Sequence, residues 1–333
     1  MNINSENNMA GADVPIKISF CLFTYNQSEY VYDALHSALA QNYSPMQIVI
    51  IDDGSLDGTA AIIEKEVSNY SGPHQTKVLL KKKNKGLADS INTAIYDLAD
   101  GEWVVFAAGD DISFKDRTLK IANMVMSNPT LTLIQSGVIR VNASGEFLNN
   151  IDAPVLSLET TFKESVLGAA AAYHKPTIAS FPQIGMRVIR EDAVLTARAL
   201  IVGNYARLDE CLVEWRRHEN NMSGTTGQSF FESLLFVNGK FLNDHSIALA
   251  QQMSDTIHAM MRCIIDDKKS AWLLLCYSKM IFKNQKRSGF FLALQDGKTS
   301  IGKYMRRHPF HSIYALVFIS YQYARHKAYN FRN

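Results

Sequence analysis

Hydrophobic and polar positions along the first third of the chain come in blocks. Residues 16–23 (IKISFCLF) form an apolar, β-branched run that stops at Thr24-Tyr25-Asn26-Gln27. Residues 47–51 (QIVII) form a second, which stops at Asp52-Asp53-Gly54-Ser55. Runs of this length bounded by polar turns read as strands buried on both faces. Between them, residues 29–41 set Val31, Leu35, Ala38 and Leu39 on one side at helical spacing. The pattern goes on with a helix over 59–70 that Asp57 can cap, a strand over 77–80 and a helix over 87–98. A strand over 102–107 (EWVVFA) then ends at Gly109-Asp110-Asp111. Strand and helix taking turns predicts an α/β fold: a Rossmann-like, mostly parallel sheet flanked by helices. Such sheets bind ligands outside the carboxyl ends of their strands, which is where these polar loops fall.

The middle of the chain is less regular. Residues 131–141 read as a strand leading to a turn at 142–145, residues 163–175 are rich in Ala and Gly, and 211–216 read as a short strand. Residues 190–202 read as a helix that opens with Glu191-Asp192. From 229 onward the pattern is helical, most clearly over 254–266, 270–282 and 311–324. The predicted organisation is a polar lead (1–15), an α/β domain (16–225, with halves 16–114 and 115–225) and a C-terminal helical extension (226–333).

Of the 333 residues, 47% are hydrophobic and 20% charged, which excludes a disordered chain. The net charge of +2 hides an asymmetry: residues 262–333 carry 14 Lys+Arg against 3 Asp+Glu, so the rest of the chain is acidic. Aromatic residues interleave with those basic ones. The tail is therefore expected either to lie on an anionic membrane surface or to pack its aromatics internally. No nucleic-acid partner is expected, and the four lysines within residues 81–85 read as a solvated patch. Four cysteines far apart in no ligand-like spacing suit a reducing compartment. Residues 1–13 lack a secretory pattern, and no apolar run approaches the about 20 residues that span a bilayer. These features predict a cytoplasmic protein, soluble or peripheral on the inner face of the cytoplasmic membrane.

The candidate chemistry lies in the acidic strand ends. Carboxylates converging at the top of one sheet repel each other unless a cation or donor binds there. Oxygen ligands beside a phosphate-bearing molecule suit Mg²⁺ or Mn²⁺. Neither a GxxxxGK[ST] nor a GxGxxG loop follows any of the strands, so the usual phosphate cradles are absent and a metal would serve in their place. The plain alternative is that Asp52 and Asp57 cap the following helix.

In order and spacing, four groups of residues resemble the inverting family 2 glycosyltransferases of bacterial surface-polysaccharide synthesis. They are Thr24-Tyr25-Asn26; Asp52-Asp53-Gly54-Ser55 with Asp57-Gly58-Thr59; Asn84-Lys85-Gly86-Leu87 with Asn92; and Gly101-Glu102 leading to Gly109-Asp110-Asp111. The likeness covers 16–114 and resumes at 190–192 and 214–223 (EWRRHENNMS). It implies the GT-A fold and transfer of a sugar from a nucleotide-diphospho-sugar, a UDP-sugar above others, to a lipid-linked or oligosaccharide acceptor. It also implies roles. Thr24, Tyr25, Asn26, Asp53, Asn84, Gly86, Asp110 and Arg217 would bind the donor, with Thr24 and Asp53 at its base. Asp111, with His218, would hold the metal, Asp110 would sit by the ribose or the metal, and Asp192 would be the general base. Many relatives carry a further acid where Ala108 stands here. Two other readings share these residues: a sugar-phosphate nucleotidyltransferase, whose glycine-rich first loop is missing, and an inactive binding protein.

Overall fold

The structure is a computed structural model that describes residues 15–156, 166–185, 191–219 and 221. The three helices expected beyond 229, and the whole extension 226–333, lie outside the described residues. Strands β1 (Ile18–Thr24) and β2 (Met46–Asp52) are buried at every residue, as their unbroken apolar runs require. With β3 (Gln75–Leu80) and β4 (Trp103–Ala108) they form a parallel array in the order β3-β2-β1-β4. Helices α1 (Val31–Leu39), α2 (Thr59–Ser68) and α3 (Leu87–Thr93) make the crossovers, and α3 continues into a π turn at Ala94–Leu98.

Alternation along β1 divides the core into two layers. Ile18, Phe20 and Leu22 pack with Val31 and Leu35 of α1, Ile63 of α2 and Ile121 of α4 (Arg117–Ser127). Cys21 and Phe23 face the other way, into a cluster with Ile91 of α3, Ile178 of α5 (Lys175–Ala179) and Leu195 of α6 (Glu191–Val202). The sequence reading missed α4. Its buried face mixes Ile121, Ala122 and Val125 with Arg117 and Thr118, and the two polar residues break the apolar stripe.

Beyond β4 the sheet turns antiparallel. Strand β8 (Ala171–His174) pairs with β4, and β6 (Leu131–Asn142) pairs with β8. The long β9 (Asn204–Arg217) runs parallel to β6, while β5 (Ile112–Ser113) pairs antiparallel with β9 and β7 (Phe147–Ile151) with β6. The short strand expected over 211–216 is the apolar end of β9. Its first half (NYARLDE) is mostly half-buried or exposed and carries no strand signature. The result is a mixed α/β sheet, parallel in the half that carries the polar loops.

Candidate active site

Strands β2 and β4 flank β1, so Asp52-Asp53 and Asp110-Asp111 end up on either side of the loop after Thr24. The first pair is engaged within the protein. Asp52 accepts the Thr24 hydroxyl (2.9 Å) and the Ser55 amide (2.8 Å), which makes it the brace of its own turn. Asp53 accepts the amides of Gly86 (2.7 Å) and Lys85 (3.2 Å) and the Lys81 ammonium (2.9 Å). Lys81 also reaches Asp89 (2.8 Å) and Ser90 (2.7 Å). Its side chain is only 8% exposed, so the expected solvated lysine patch begins with a buried cation; Lys82, Lys83 and Lys85 are exposed. Gly54 lets this loop close in, because a Cβ there would stand 2.7 Å from the Asn84 amide nitrogen.

The β1–α1 loop is laced to the same region. Asn26 donates its amide to Ser55 Oγ (2.8 Å) and accepts the Leu56 amide (2.9 Å). Asp57 accepts from Thr59 at the start of α2 and from the Ser28 amide (2.9 Å). Burial pushes its carboxyl up, but these hydrogen bonds outweigh it and hold Asp57 below the usual range. Tyr25 is exposed, and Asn84 accepts the Gly86 amide in a short turn (2.9 Å).

The second acid pair divides its labour. Asp111 is buried and accepts the Arg216 amide on Oδ1 (2.9 Å). Burial, then the neighbouring Asp110 charge, raise its carboxyl well above the ordinary value, against the pull of Arg117 and Arg216. Arg117 is itself wholly buried, bonded to Ser113 Oγ and the Phe106 carbonyl (both 2.9 Å). Burial brings its guanidinium down to about 9. Asp110 instead presents Oδ2 to His218 Nε2 (3.0 Å) and to the Asn221 amide (3.1 Å). Asn221 accepts the His218 amide and donates to the Arg216 carbonyl, which fixes the turn after β9. Tyr30 lies flat on the His218 ring (centroids 4.7 Å, planes 26° apart) and carries Arg216 on its face (5.1 Å).

An oxygen and an imidazole nitrogen 3.0 Å apart match two neighbouring ligands on one hard cation, whose bonds of about 2.1 Å at right angles set ligands roughly 3 Å apart. Among the described residues no three His, Cys, Asp or Glu side chains gather into a metal cage.

Asp192 opens α6 and lies against the 3₁₀ turn Gly168–Ala170, where a Cβ on Gly168 would come within 4.0 Å of its own Cβ. Tyr173 of β8 is buried beside it. Burial first, then the Asp192 charge, hold the Tyr173 phenol well above its ordinary value. Asn92 helps place this side of the site, trading two hydrogen bonds with the Ile184 backbone (2.7 and 2.8 Å) ahead of α6.

The glycosyl transferase family 2 model matches residues 19–194, more than half of the chain. The chain belongs to glycosyl transferase family 2. Among its relatives, the putative glycosyltransferase EpsE of Bacillus subtilis is 28% identical over 37% of this chain and 43% of its own. The poly-β-1,6-N-acetyl-D-glucosamine synthase of Staphylococcus epidermidis is 34% identical over 40% of this chain and 31% of its own. The family 2 chain thus spans less than half of these two relatives. In fold it is similar to S. aureus TarS solved with UDP (TM-score 0.53, 17% identity, covering 93% of this chain and 92% of that one). It is also similar to the mannosyltransferase PcManGT of Pyrobaculum calidifontis, solved with GDP-Man and Mn²⁺ (TM-score 0.50, 14% identity, 93% and 88%).

Three residues to which the resemblance gives roles are engaged within the protein. Thr24 is 3% exposed and its hydroxyl serves Asp52, which shapes the strand end. Asp111 turns into the protein, and Asp110 is the acid that faces His218. Arg217, expected at the donor, stacks on Trp215 (4.7 Å), while its neighbour Arg216 covers Asp110 and Asp111. Strand alternation is the reason, since consecutive side chains leave β9 on opposite sides. Lys81, Arg117, Arg216 and Tyr30 were missed. Alternation through the Arg216-Arg217 doublet was the one available signal; nothing local marks Tyr30.

Proposed function

We propose that this family 2 chain is an inverting glycosyltransferase that moves a sugar from a nucleotide-diphospho-sugar to an acceptor hydroxyl. The observation that carries the reading is the Asp110–His218 pair at the end of β4, with Asp53 at the end of β2 on the other side of β1. The donor nucleotide would lie along the β1–α1 and β2–α2 loops, near Asp53, Asn84 and Gly86, with Tyr25 and Asn26 at its exposed edge. A UDP-sugar is the favoured donor, supported by the UDP in the TarS structure; the GDP-Man of PcManGT is the competing one. Mg²⁺ or Mn²⁺ held by Asp110 and His218 would supply positive charge against the leaving diphosphate.

In a single displacement, Asp192 takes the proton of the acceptor hydroxyl. The acceptor oxygen bonds to the anomeric carbon from the face opposite the leaving group. The old C–O bond breaks, its electron pair leaves with the nucleoside diphosphate, and the configuration inverts. Asp111 is a positioning residue that fixes β9 through the Arg216 amide. The synthase relative and the family likeness favour an acceptor in surface-polysaccharide assembly, lipid-linked or oligosaccharide. The basic, aromatic composition of 262–333 favours contact with an anionic membrane at the cytoplasmic face. No helix among the described residues is long and apolar enough to cross a membrane.

The test is acceptor-dependent release of nucleoside diphosphate from a panel of nucleotide-sugars. Asp192→Asn should lower turnover by roughly 10²–10⁴-fold, the range of a general base, while nucleotide binding holds. Most of the turnover surviving in Asp192→Asn would remove the base assignment. Release of pyrophosphate from a nucleoside triphosphate would favour the nucleotidyltransferase reading.

A further inference from the structure

The turn after β9 carries one side chain that touches both Asp110 and His218. The Asn221 amide accepts the His218 backbone N–H on Oδ1 (2.6 Å) and donates from Nδ2 to the Arg216 carbonyl (3.1 Å). A backbone N–H can only donate and a carbonyl can only accept, so these two contacts fix which end of the amide is oxygen and which is nitrogen. Nδ2 then has one proton left, and Asp110 Oδ2 stands 3.1 Å away to take it. His218 Nε2 lies 3.1 Å from the same Nδ2 and 3.0 Å from the same Oδ2. Asn221 and Asp110 are 111 positions apart in the chain, so this contact is a product of the fold and not of local sequence.

We infer that Asn221 is a positioning residue for the metal, holding the Asp110 carboxylate and His218 at ligand spacing before the ion arrives. The inference rests on the transferase reading above and on its assignment of the metal to Asp110 and His218. The two groups are held in different ways. Asp110 is held at its carboxylate, and an ionised carboxylate oxygen keeps a second lone pair for a cation while it accepts the Asn221 N–H. His218 is held at its backbone by Asn221 and at its ring face by Tyr30. Arg216 does a separate job, tying the end of β9 to the Asp110 carbonyl and the Asp111 carboxylate. Hydrogen-bond partners behind a ligand set its orientation, and without Asn221 the ion itself would have to order the Asp110 side chain and the turn.

The test follows Mn²⁺ binding to the full-length protein saturated with UDP, with free Mn²⁺ read from its electron paramagnetic resonance signal and UDP alone measured alongside. Asn221→Ala should weaken Mn²⁺ binding about 10- to 100-fold, the usual result of removing a partner behind a ligand, yet reach the same occupancy when Mn²⁺ is raised. Glu219→Gln, at an exposed position in the same turn, should keep the affinity. A single cooperative thermal transition without ligand certifies the fold of each variant. Unchanged Mn²⁺ affinity in Asn221→Ala overturns the inference and leaves the metal assignment standing. A loss that no Mn²⁺ concentration restores also overturns it, since the residue would then be needed for the site to exist at all. Equal weakening in Glu219→Gln overturns it as a general effect of altering the turn. An unaltered protein that binds no Mn²⁺ beyond UDP alone overturns it together with the metal assignment.

Discussion

The acid pairs that end β2 and β4 look alike in sequence and behave differently in the fold. Both carboxylates of Asp52-Asp53 are engaged by the protein's own donors, including a buried ammonium. In Asp110-Asp111 one carboxylate is engaged inward and the other faces an imidazole. The first pair shapes a loop, whereas the second ties one acid to β9 and turns the other to His218 and Asn221 in the turn after it. Two acids at a strand end therefore do not amount to two ligands; the donors already reaching each oxygen decide what it can bind.

The sharpest way to break this contrast is to remove Lys81. Lys81→Met would leave Asp53 and Asp89 without their cation, and breaking a buried pair of this kind costs about 3–5 kcal/mol. Urea unfolding should show that loss, and the double variant Lys81→Met/Asp53→Asn should recover part of it. A loss below about 1 kcal/mol would show that the pair is solvated after all. On the other side of the comparison, Tyr30→Ala should weaken Mn²⁺-dependent nucleotide binding about two- to tenfold, the worth of a stacked ring, while Tyr30→Phe keeps it. Calorimetric titration of the nucleotide at fixed Mn²⁺ would show the split. A smaller effect belongs to Asp57→Ala, which should cost about 1 kcal/mol in the same urea experiment through the lost turn at the start of α2.

The smallest effect concerns Cys21, on the buried β1 between the two acid pairs. Burial pushes its thiol from 9.0 up to about 12. Its contribution to stability is therefore complete below pH 9 and is lost as pH rises towards 12, because the unfolded chain ionises first. Iodoacetamide at pH 8.5 should label Cys21 only as fast as the chain unfolds; rapid labelling of the folded protein would show the strand to be open.

How much of this could be read beforehand depended on how local the cause was. Strands β1, β2 and β4 announced themselves because an unbroken apolar run is what burial on both faces demands. The α6 helix with Glu191-Asp192 at its head was equally legible. The first half of β9 was not, since its pairing with β6 comes from register with a distant strand and not from its own composition. The same holds within the site. Sequence could bring Asp110, Asp111 and His218 together, but which acid turned inward depended on an amide of Arg216, 105 positions away. The run of lysines at 81–85 does not reveal the burial of Lys81, because its partners, Asp53 and Asp89, come from two other segments.

The central proposal, that Asp110 and not Asp111 would hold the metal, can be met directly by titrating Mn²⁺ into the UDP-saturated protein and following the melting temperature. The account predicts that Asp110→Asn abolishes the Mn²⁺-dependent part of the UDP shift. In Asp111→Asn, whose side-chain oxygen can still accept the Arg216 amide, that part should persist. The reverse outcome, metal dependence lost in Asp111→Asn and retained in Asp110→Asn, would contradict it.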